Sequence, residues 1–246
     1  MGTHDQTADA VLPKPEEKKQ YVRAMFDGVA SKYDFLNHLL SLGIDIYWRR
    51  RALKLINFSM NPKLLDLATG TGDVAIMAIR MGAQHVYGVD LSEGMLAYGR
   101  KKIEKEKMTD AIDMICGEGE RIPMEDACVD ASTIAFGIRN VVDIPQTLRE
   151  MARVTKTSGM IVVLEFSQPQ WPVMKQLYQF YFTQVLPRIG SLFSKDKKAY
   201  HYLPASVMRF PARDEFAHMM EQAGYTNVRH FDMTLGIVTV YSGIKL

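Results

Sequence analysis

Short apolar segments alternate with helical patterns from Leu64 to Phe166, and this alternation constrains the fold more than any other feature of the chain. Short strands separated by stretches with helical spacing are typical of parallel sheets joined by crossover helices. Helices then cover both faces of the sheet, and right-handed crossovers make it doubly wound. The sequence therefore predicts an α/β fold with strands at 64–67, 85–90, 112–116, 129–136 and 160–166.

Other patterns flank this core and divide the chain into a leader and a single domain. Residues 1–20 are polar and predict a flexible leader, whereas 21–246 is predicted as one domain. Within it, 21–60 forms a helical lid and 61–168 the cofactor-binding core. An apolar stripe at helical spacing predicts a helical insertion at 169–210, and 211–246 is predicted as a final helix and a β-hairpin.

Charge and cysteine content exclude several classes of protein. A net charge of +2 over 246 residues is too small to indicate nucleic-acid binding. The histidines and cysteines lack the spacing of metal ligands, so we expect no metal. Only two cysteines occur, which favours a cytoplasmic protein. Basic clusters at 49–51 and 195–198 leave open a transient, peripheral contact with the inner membrane surface.

The turn after the first predicted strand is the strongest local signal for a ligand. Its glycines allow the backbone to approach a bound molecule closely and to turn sharply into a helix. An acid at the end of the next strand, Asp90, is placed to accept hydrogen bonds from two ribose hydroxyls. The predicted cofactor residues here are Asp66, Thr69, Gly70, Thr71, Gly72, Asp90 and its neighbour Leu91.

The same turn also matches a dinucleotide fingerprint, because 70–75 has the pattern GxGxxA. Two acids favour S-adenosylmethionine over NAD. Asp66 suits the ammonium group of a methionine moiety, and Asp73 would repel a phosphate at the helix N-terminus. An NAD-dependent reductase remains the remote alternative, and a capped turn without any ligand remains open.

The third and fourth predicted strands also end in candidate site residues. Glu118 and Gly119 follow the third strand, where they would border an adenine pocket. The fourth strand leads from Ala135 to Arg139 and Asn140, at the carboxyl edge of the sheet where ligands bind in such folds. A polar pair after an apolar strand predicts a reactive site rather than core.

Four segments resemble the ubiquinone/menaquinone biosynthesis C-methyltransferase family. They are 29–34 with Asn37 and Trp48, 65–73, the FGIRNV run at 136–141, and the LEFS run at 164–167 with Pro169; 186–191 and 200–203 are also similar to it. The resemblance implies a class I S-adenosylmethionine-dependent methyltransferase with seven strands, the last antiparallel. It also implies cofactor contacts at Thr71, Asp90, Glu118 and Gly119. Glu118 and Ala135 depart from the residues common in that family.

The resemblance implies methylation of the ring of a prenylated quinol. We favour demethylmenaquinol as the substrate and keep 2-polyprenyl-6-methoxy-1,4-benzoquinol open. Arg139 is predicted to stabilise the ring oxyanion, while Asn140 and Tyr33 hydrogen-bond the ring oxygens. Helix packing remains the alternative role for Tyr33.

The helical segments outside the core have predicted roles in substrate binding. We expect the N-terminal helices to cover the substrate rather than bind the cofactor. The apolar stripe between Met174 and Phe193 would form a tunnel or lid for the prenyl tail, with plain core packing or a homodimer contact as alternatives.

Overall fold

A mixed sheet of seven strands forms the centre of the protein in the computed structural model, which describes residues 12–181, 184 and 198–246. The order across the sheet is β3-β2-β1-β4-β5-β7-β6. The strands are β1 (Lys63–Leu67), β2 (His85–Asp90), β3 (Ile112–Cys116), β4 (Val129–Ala135), β5 (Thr155–Phe166), β6 (Tyr225–Met233) and β7 (Val238–Lys245).

Strand pairing confirms the predicted doubly wound topology. β1 pairs in parallel with both β2 and β4, so the chain order reverses direction at β1. β7 lies antiparallel between β5 and β6, which confirms the antiparallel last strand. The carboxyl ends of β1 to β4 therefore meet at one edge, where the order of the strands switches.

Helices cover both faces of the sheet and extend the chain at its amino end. They are α1 (Pro15–Val29), α2 (Tyr33–Leu40), α3 (Ile44–Leu53), α4 (Asp73–Arg80), α5 (Glu93–Lys105), α6 (Ile144–Val154), α7 (Pro172–Phe180), α8 (Lys198–Arg209) and α9 (Arg213–Gln222). The predicted boundary of the leader is wrong, because α1 begins at Pro15 rather than at Tyr21. Proline suits this first helical position, where its missing N–H is not needed and its φ is already helical.

Adjacent residues of β1 belong to two different hydrophobic clusters. Leu64 packs with Trp48 and Val162 on one face of the sheet, while Leu65 packs with Leu148 and Val163 on the other. Burial on both faces explains why the strands are continuously apolar in sequence. The rigid centre fixes the positions of the loops at the carboxyl edge.

In the described part of the chain, no helix is both long and apolar enough to cross a bilayer. Of the predicted insertion, α7 and α8 are described. The stripe residues Phe182, Val185, Leu186, Ile189, Leu192 and Phe193 lie outside the described residues, as does the 186–191 segment.

Candidate active site

A crevice opens at the carboxyl edge of the sheet, between the ends of β1 to β4. Gly70 lies in the turn after β1 with φ of 57°, a conformation that glycine adopts without strain. Six of the predicted cofactor residues line this crevice: Gly70, Asp90, Leu91, Glu118, Gly119 and Ala135. They come from four different strand ends, so the sheet brings together residues that are far apart in sequence.

The carboxylate of Asp90 is held rigidly at the crevice. One oxygen accepts the backbone N–H of Gly70 at 2.8 Å, and the other accepts that of Ser92 at 2.8 Å. Burial raises the pKa of Asp90, while these two hydrogen bonds oppose the rise. Each carboxylate oxygen has a further lone pair, so Asp90 can still accept two hydroxyl groups. The fixed acid beside a glycine turn therefore fits the ribose of a nucleoside.

Four predicted cofactor residues, Asp66, Thr69, Thr71 and Gly72, line neither of the cavities at this edge. Asp66 is buried behind the turn, where it accepts the Thr69 hydroxyl at 2.5 Å. Burial raises the pKa of Asp66 to about 7. The Thr71 hydroxyl donates instead to Asp34 of α2, at 2.5 Å. The structure therefore gives these side chains contacts that shape the turn and hold α2 against it.

Helix α1 crosses the crevice that the predicted cofactor residues line. Its residues Lys19, Val22 and Phe26 line the crevice. Asp27 accepts the Ser92 hydroxyl at 2.5 Å near the end of β2, and Lys19 forms an ion pair with Glu118 after β3. These contacts hold α1 over the predicted cofactor residues because both its ends reach polar groups of the strand loops.

A second cavity of about 410 Å³ adjoins the crevice. Its walls are largely apolar and come mainly from α1, α2, α3, α7, α8 and the end of β5, with Met25, Trp48, Phe166, Leu177 and Leu203 among them. Phe26, Tyr33, Phe136 and Asn140 line both the crevice and this cavity. The two spaces therefore meet at these four residues.

A buried ion pair fixes Arg139 at the wall of the second cavity. Its Nη1 lies 2.6 Å from Oε1 of Glu165, whose side chain is 0% exposed. Nη1 also donates to the carbonyl of Phe136 at 2.6 Å. Burial raises the pKa of Glu165, and the Arg139 cation opposes that rise. The pair restricts the guanidinium to one orientation, since a buried charge without its partner is costly.

Three polar atoms at this wall have no partner among the described residues. They are Nε of Arg139, Oδ1 of Asn140 and the hydroxyl of Tyr202, and all are buried. Buried polar groups in proteins are nearly always hydrogen-bonded, so unpaired ones beside a cavity indicate a ligand. Burial also raises the pKa of Tyr33, against a hydrogen bond with Asn37, so its phenol stays a neutral donor.

Sequence reasoning missed Glu165 and a polar cluster between the lid and the glycine turn. In that cluster Asp45 accepts Ser41 at 2.6 Å and is paired with Arg49 at 2.5 Å, and both Asp45 and Arg49 line the second cavity. The LEFS run held a signal for Glu165, because an acid at the end of an apolar strand needs a buried partner. No local pattern marked Asp45.

Comparison with known proteins gives the family. The sequence profile of the ubiE/COQ5 methyltransferase family matches residues 14–245. The chain belongs to this family. A ubiquinone/menaquinone biosynthesis C-methyltransferase, UbiE, from Geobacter sp. (strain M21) is 50% identical over 231 residues, which are 93% of this chain and 98% of the relative. A demethylmenaquinone methyltransferase from Bacteroides fragilis is 40% identical over 93% of this chain and 94% of its own length.

Solved structures of other proteins share the fold of this chain. A SAM-dependent methyltransferase from Thermotoga maritima superposes with a TM-score of 0.66 at 17% identity, over 92% of this chain and 100% of the other. The [4+2]-cyclase SpnF gives the same TM-score of 0.66 at 14% identity, over 96% and 97%. The same fold therefore occurs in proteins that catalyse different reactions. Family membership makes this protein a methyltransferase, with S-adenosylmethionine as its methyl donor.

Proposed function

We propose that this protein methylates a ring carbon of a prenylated quinol, with demethylmenaquinol as the favoured substrate. The benzoquinol 2-polyprenyl-6-methoxy-1,4-benzoquinol is the second candidate, since relatives are named for both pathways. The observation that carries the proposal is the junction of the crevice with the apolar cavity at Phe26, Tyr33, Phe136 and Asn140. A ring bound in the cavity would lie beside a methyl donor bound in the crevice.

Bound in the crevice, S-adenosylmethionine supplies an electrophilic methyl group on a sulfonium. We assign the contacts with its ribose to Asp90, and the walls of its site to Gly70, Leu91, Glu118, Gly119 and Ala135. The contacts of Asp66, Thr69 and Thr71 with the protein favour an indirect role for them, in shaping the turn, and Gly72 lines neither space. Asp66 is thus assigned no ammonium contact.

The ring must be activated before its carbon can attack a methyl group. Loss of a hydroxyl proton spreads negative charge onto the ring, but a free phenol has a pKa of about 10. Arg139 would stabilise this oxyanion through its unpaired Nε–H, and Glu165 would keep the guanidinium in place. The new bond joins the ring carbon to the methyl carbon as the sulfur–methyl bond breaks. Loss of the ring proton then restores the aromatic ring.

Asn140 and Tyr33 are assigned to orientation of the ring. Oδ1 of Asn140 has no partner in the described part of the chain and would accept a hydrogen bond from a ring hydroxyl. Tyr33, neutral because burial raises its pKa, would donate to a ring oxygen at the junction. Positioning of this kind lowers the barrier because the two reactants meet in one geometry.

We also propose that the protein is cytoplasmic and meets the membrane transiently at the mouth of the apolar cavity. Leu42, Ile46 and Tyr47 are 84%, 47% and 56% exposed, next to cavity residues of α3. Arg50 and Arg51 are exposed on the same helix. Apolar side chains flanked by cations suit an anionic lipid surface, from which a prenylated substrate would enter.

Anaerobic incubation of the purified protein with S-adenosylmethionine and each quinol tests the proposal. Mass spectrometry of the extracted quinones should show the gain of one CH₂ with demethylmenaquinol. Gain only with the benzoquinol would transfer the assignment to the second candidate. No methylation of either ring would refute the proposed substrate class.

A further inference from the structure

A buried tyrosine of the helical insertion faces the second cavity. Tyr202 lies on α8 and is 2% exposed. Its ring packs against Tyr21, with centroids 5.6 Å apart, and against Val22 and Met25 of α1. These contacts hold the ring on the cavity wall, and Tyr202 lines the cavity with Arg139.

The hydroxyl of Tyr202 has no hydrogen-bond partner among the residues that the structure describes. Burial of an unpaired hydroxyl costs free energy that a phenylalanine at the same place would avoid. The same cavity wall carries the unpaired Nε–H of Arg139. Both unsatisfied donors belong to residues of one cavity wall, so each is available to an oxygen of a ligand bound in that cavity.

Tyr202 and the junction residues have different positions relative to the methyl donor. Tyr33 and Asn140 line both spaces, whereas Tyr202 and Arg139 line the second cavity and are absent from the walls of the crevice. A ring in contact with the junction would therefore turn one oxygen toward Arg139 and Tyr202.

We propose that Tyr202 is a further catalytic residue, whose hydroxyl donates a hydrogen bond to the same ring oxyanion that Arg139 stabilises. The inference rests on the proposed function and adds a residue to it. Burial raises the pKa of Tyr202 to about 12, although Arg139 opposes the rise. Tyr202 thus remains a donor at a pH where the quinol hydroxyl, with a pKa of about 10, ionises.

The test compares Tyr202→Phe with Tyr241→Phe. Tyr241 is 1% exposed, its hydroxyl also has no described partner, and it lines neither cavity. We expect Tyr202→Phe to lower kcat by about 10- to 100-fold, at or below the usual effect of one oxyanion donor. Tyr241→Phe should leave kcat unchanged. Neither variant should lower the melting temperature, since each loses a hydroxyl that has no hydrogen-bond partner among the described residues.

The pH dependence separates oxyanion stabilisation from a structural role. The deficit of Tyr202→Phe should shrink as the pH approaches the pKa of the quinol, because the substrate then ionises unaided. Unchanged kcat in Tyr202→Phe, a deficit constant with pH, or a lower melting temperature would each overturn the inference. If wild type methylates neither quinol, the proposed function fails; if it is active and Tyr202→Phe matches it, only this inference fails.

Discussion

Arg139→Ala should damage both stability and catalysis, and the ion pair with Glu165 allows the two effects to be separated. Glu165 is 0% exposed and 2.6 Å from Nη1 of Arg139; it also accepts the backbone N–H of Phe166 at 2.8 Å. Alanine at 139 removes the compensating charge and leaves Glu165 buried. Glu165→Gln in the same chain then removes the orphaned charge while keeping nearly the same shape.

The magnitudes of the two effects follow from burial and from position. Breaking a buried pair by removing one partner costs about 3–5 kcal/mol, so Arg139→Ala should lose that much free energy of unfolding. The double variant should recover much of it, because no unpaired charge remains. For catalysis, loss of an oxyanion donor should lower kcat by about 10²–10³ in both variants. The KM for S-adenosylmethionine should scarcely change, since Arg139 does not line the crevice.

The stability deficit of Arg139→Ala should also depend on pH. Burial raises the pKa of Glu165 in the folded protein above its value in the unfolded chain. A raised carboxyl pKa gives stability that is full below the unfolded pKa and is lost as pH rises through the folded pKa. Removing the Arg139 cation raises the folded pKa further. The deficit should therefore be small at acidic pH and larger at alkaline pH.

Urea unfolding of wild type, Arg139→Ala and the double variant, at an acidic and an alkaline pH, measures the free energy of unfolding. Anaerobic rates with demethylmenaquinol measure kcat. An equal free energy of unfolding in wild type and Arg139→Ala would refute the buried-pair reasoning. Recovery of kcat along with stability in the double variant would show that Arg139 supports the fold and does no chemistry.

Three further predictions follow from contacts around the two cavities. Asp90→Ala should weaken binding of S-adenosylhomocysteine at least 10-fold, since one charge-assisted hydrogen bond contributes about 1.5 kcal/mol or more; an unchanged Kd in calorimetry would place the ribose elsewhere. Asp27→Ala, which frees α1 from Ser92, should weaken the same binding by a few-fold, and an unaltered Kd would show that α1 does not retain the nucleoside. Leu42→Glu with Ile46→Glu should reduce sedimentation with anionic vesicles but spare methylation of a detergent-solubilised substrate. Met60→Glu, also at an exposed apolar residue, is the control and should sediment as wild type does.

Local pattern was enough to predict the core of the fold. β1 to β5 are apolar because both faces are covered, so each strand was visible as a short run, and helices at 144–154 and after the glycine turn had the expected spacing. Residues that directly follow a strand, such as Asp90 and Glu118, were predictable for the same reason. The end of each parallel strand lies at the same edge of the sheet, so the place of a residue in the sequence indicates its place at that edge.

Contacts between distant elements were not predictable in this way. Glu165 meets Arg139 only because β5 pairs with β4, and a single sequence does not show which acid faces which base. The path of α1 across the crevice depends on Lys19 and Asp27 finding polar groups on two different loops. The role of Tyr202 was not predicted, although segment 200–203 resembles the family. Its burial beside a cavity is a property of the folded chain.

The contacts of α1 bear on how fast the enzyme can turn over. With the cofactor in the proposed site, the demethylated nucleoside would leave past this helix, so the hydrogen bond from Ser92 to Asp27 and the Lys19–Glu118 ion pair would open in every cycle. Lys19 and Glu118 are 46% and 42% exposed, so their pair contributes only about 0–1 kcal/mol and weakens as ionic strength rises. The ion pair is thus weak enough to open in each cycle, and salt should speed product release while it loosens cofactor retention.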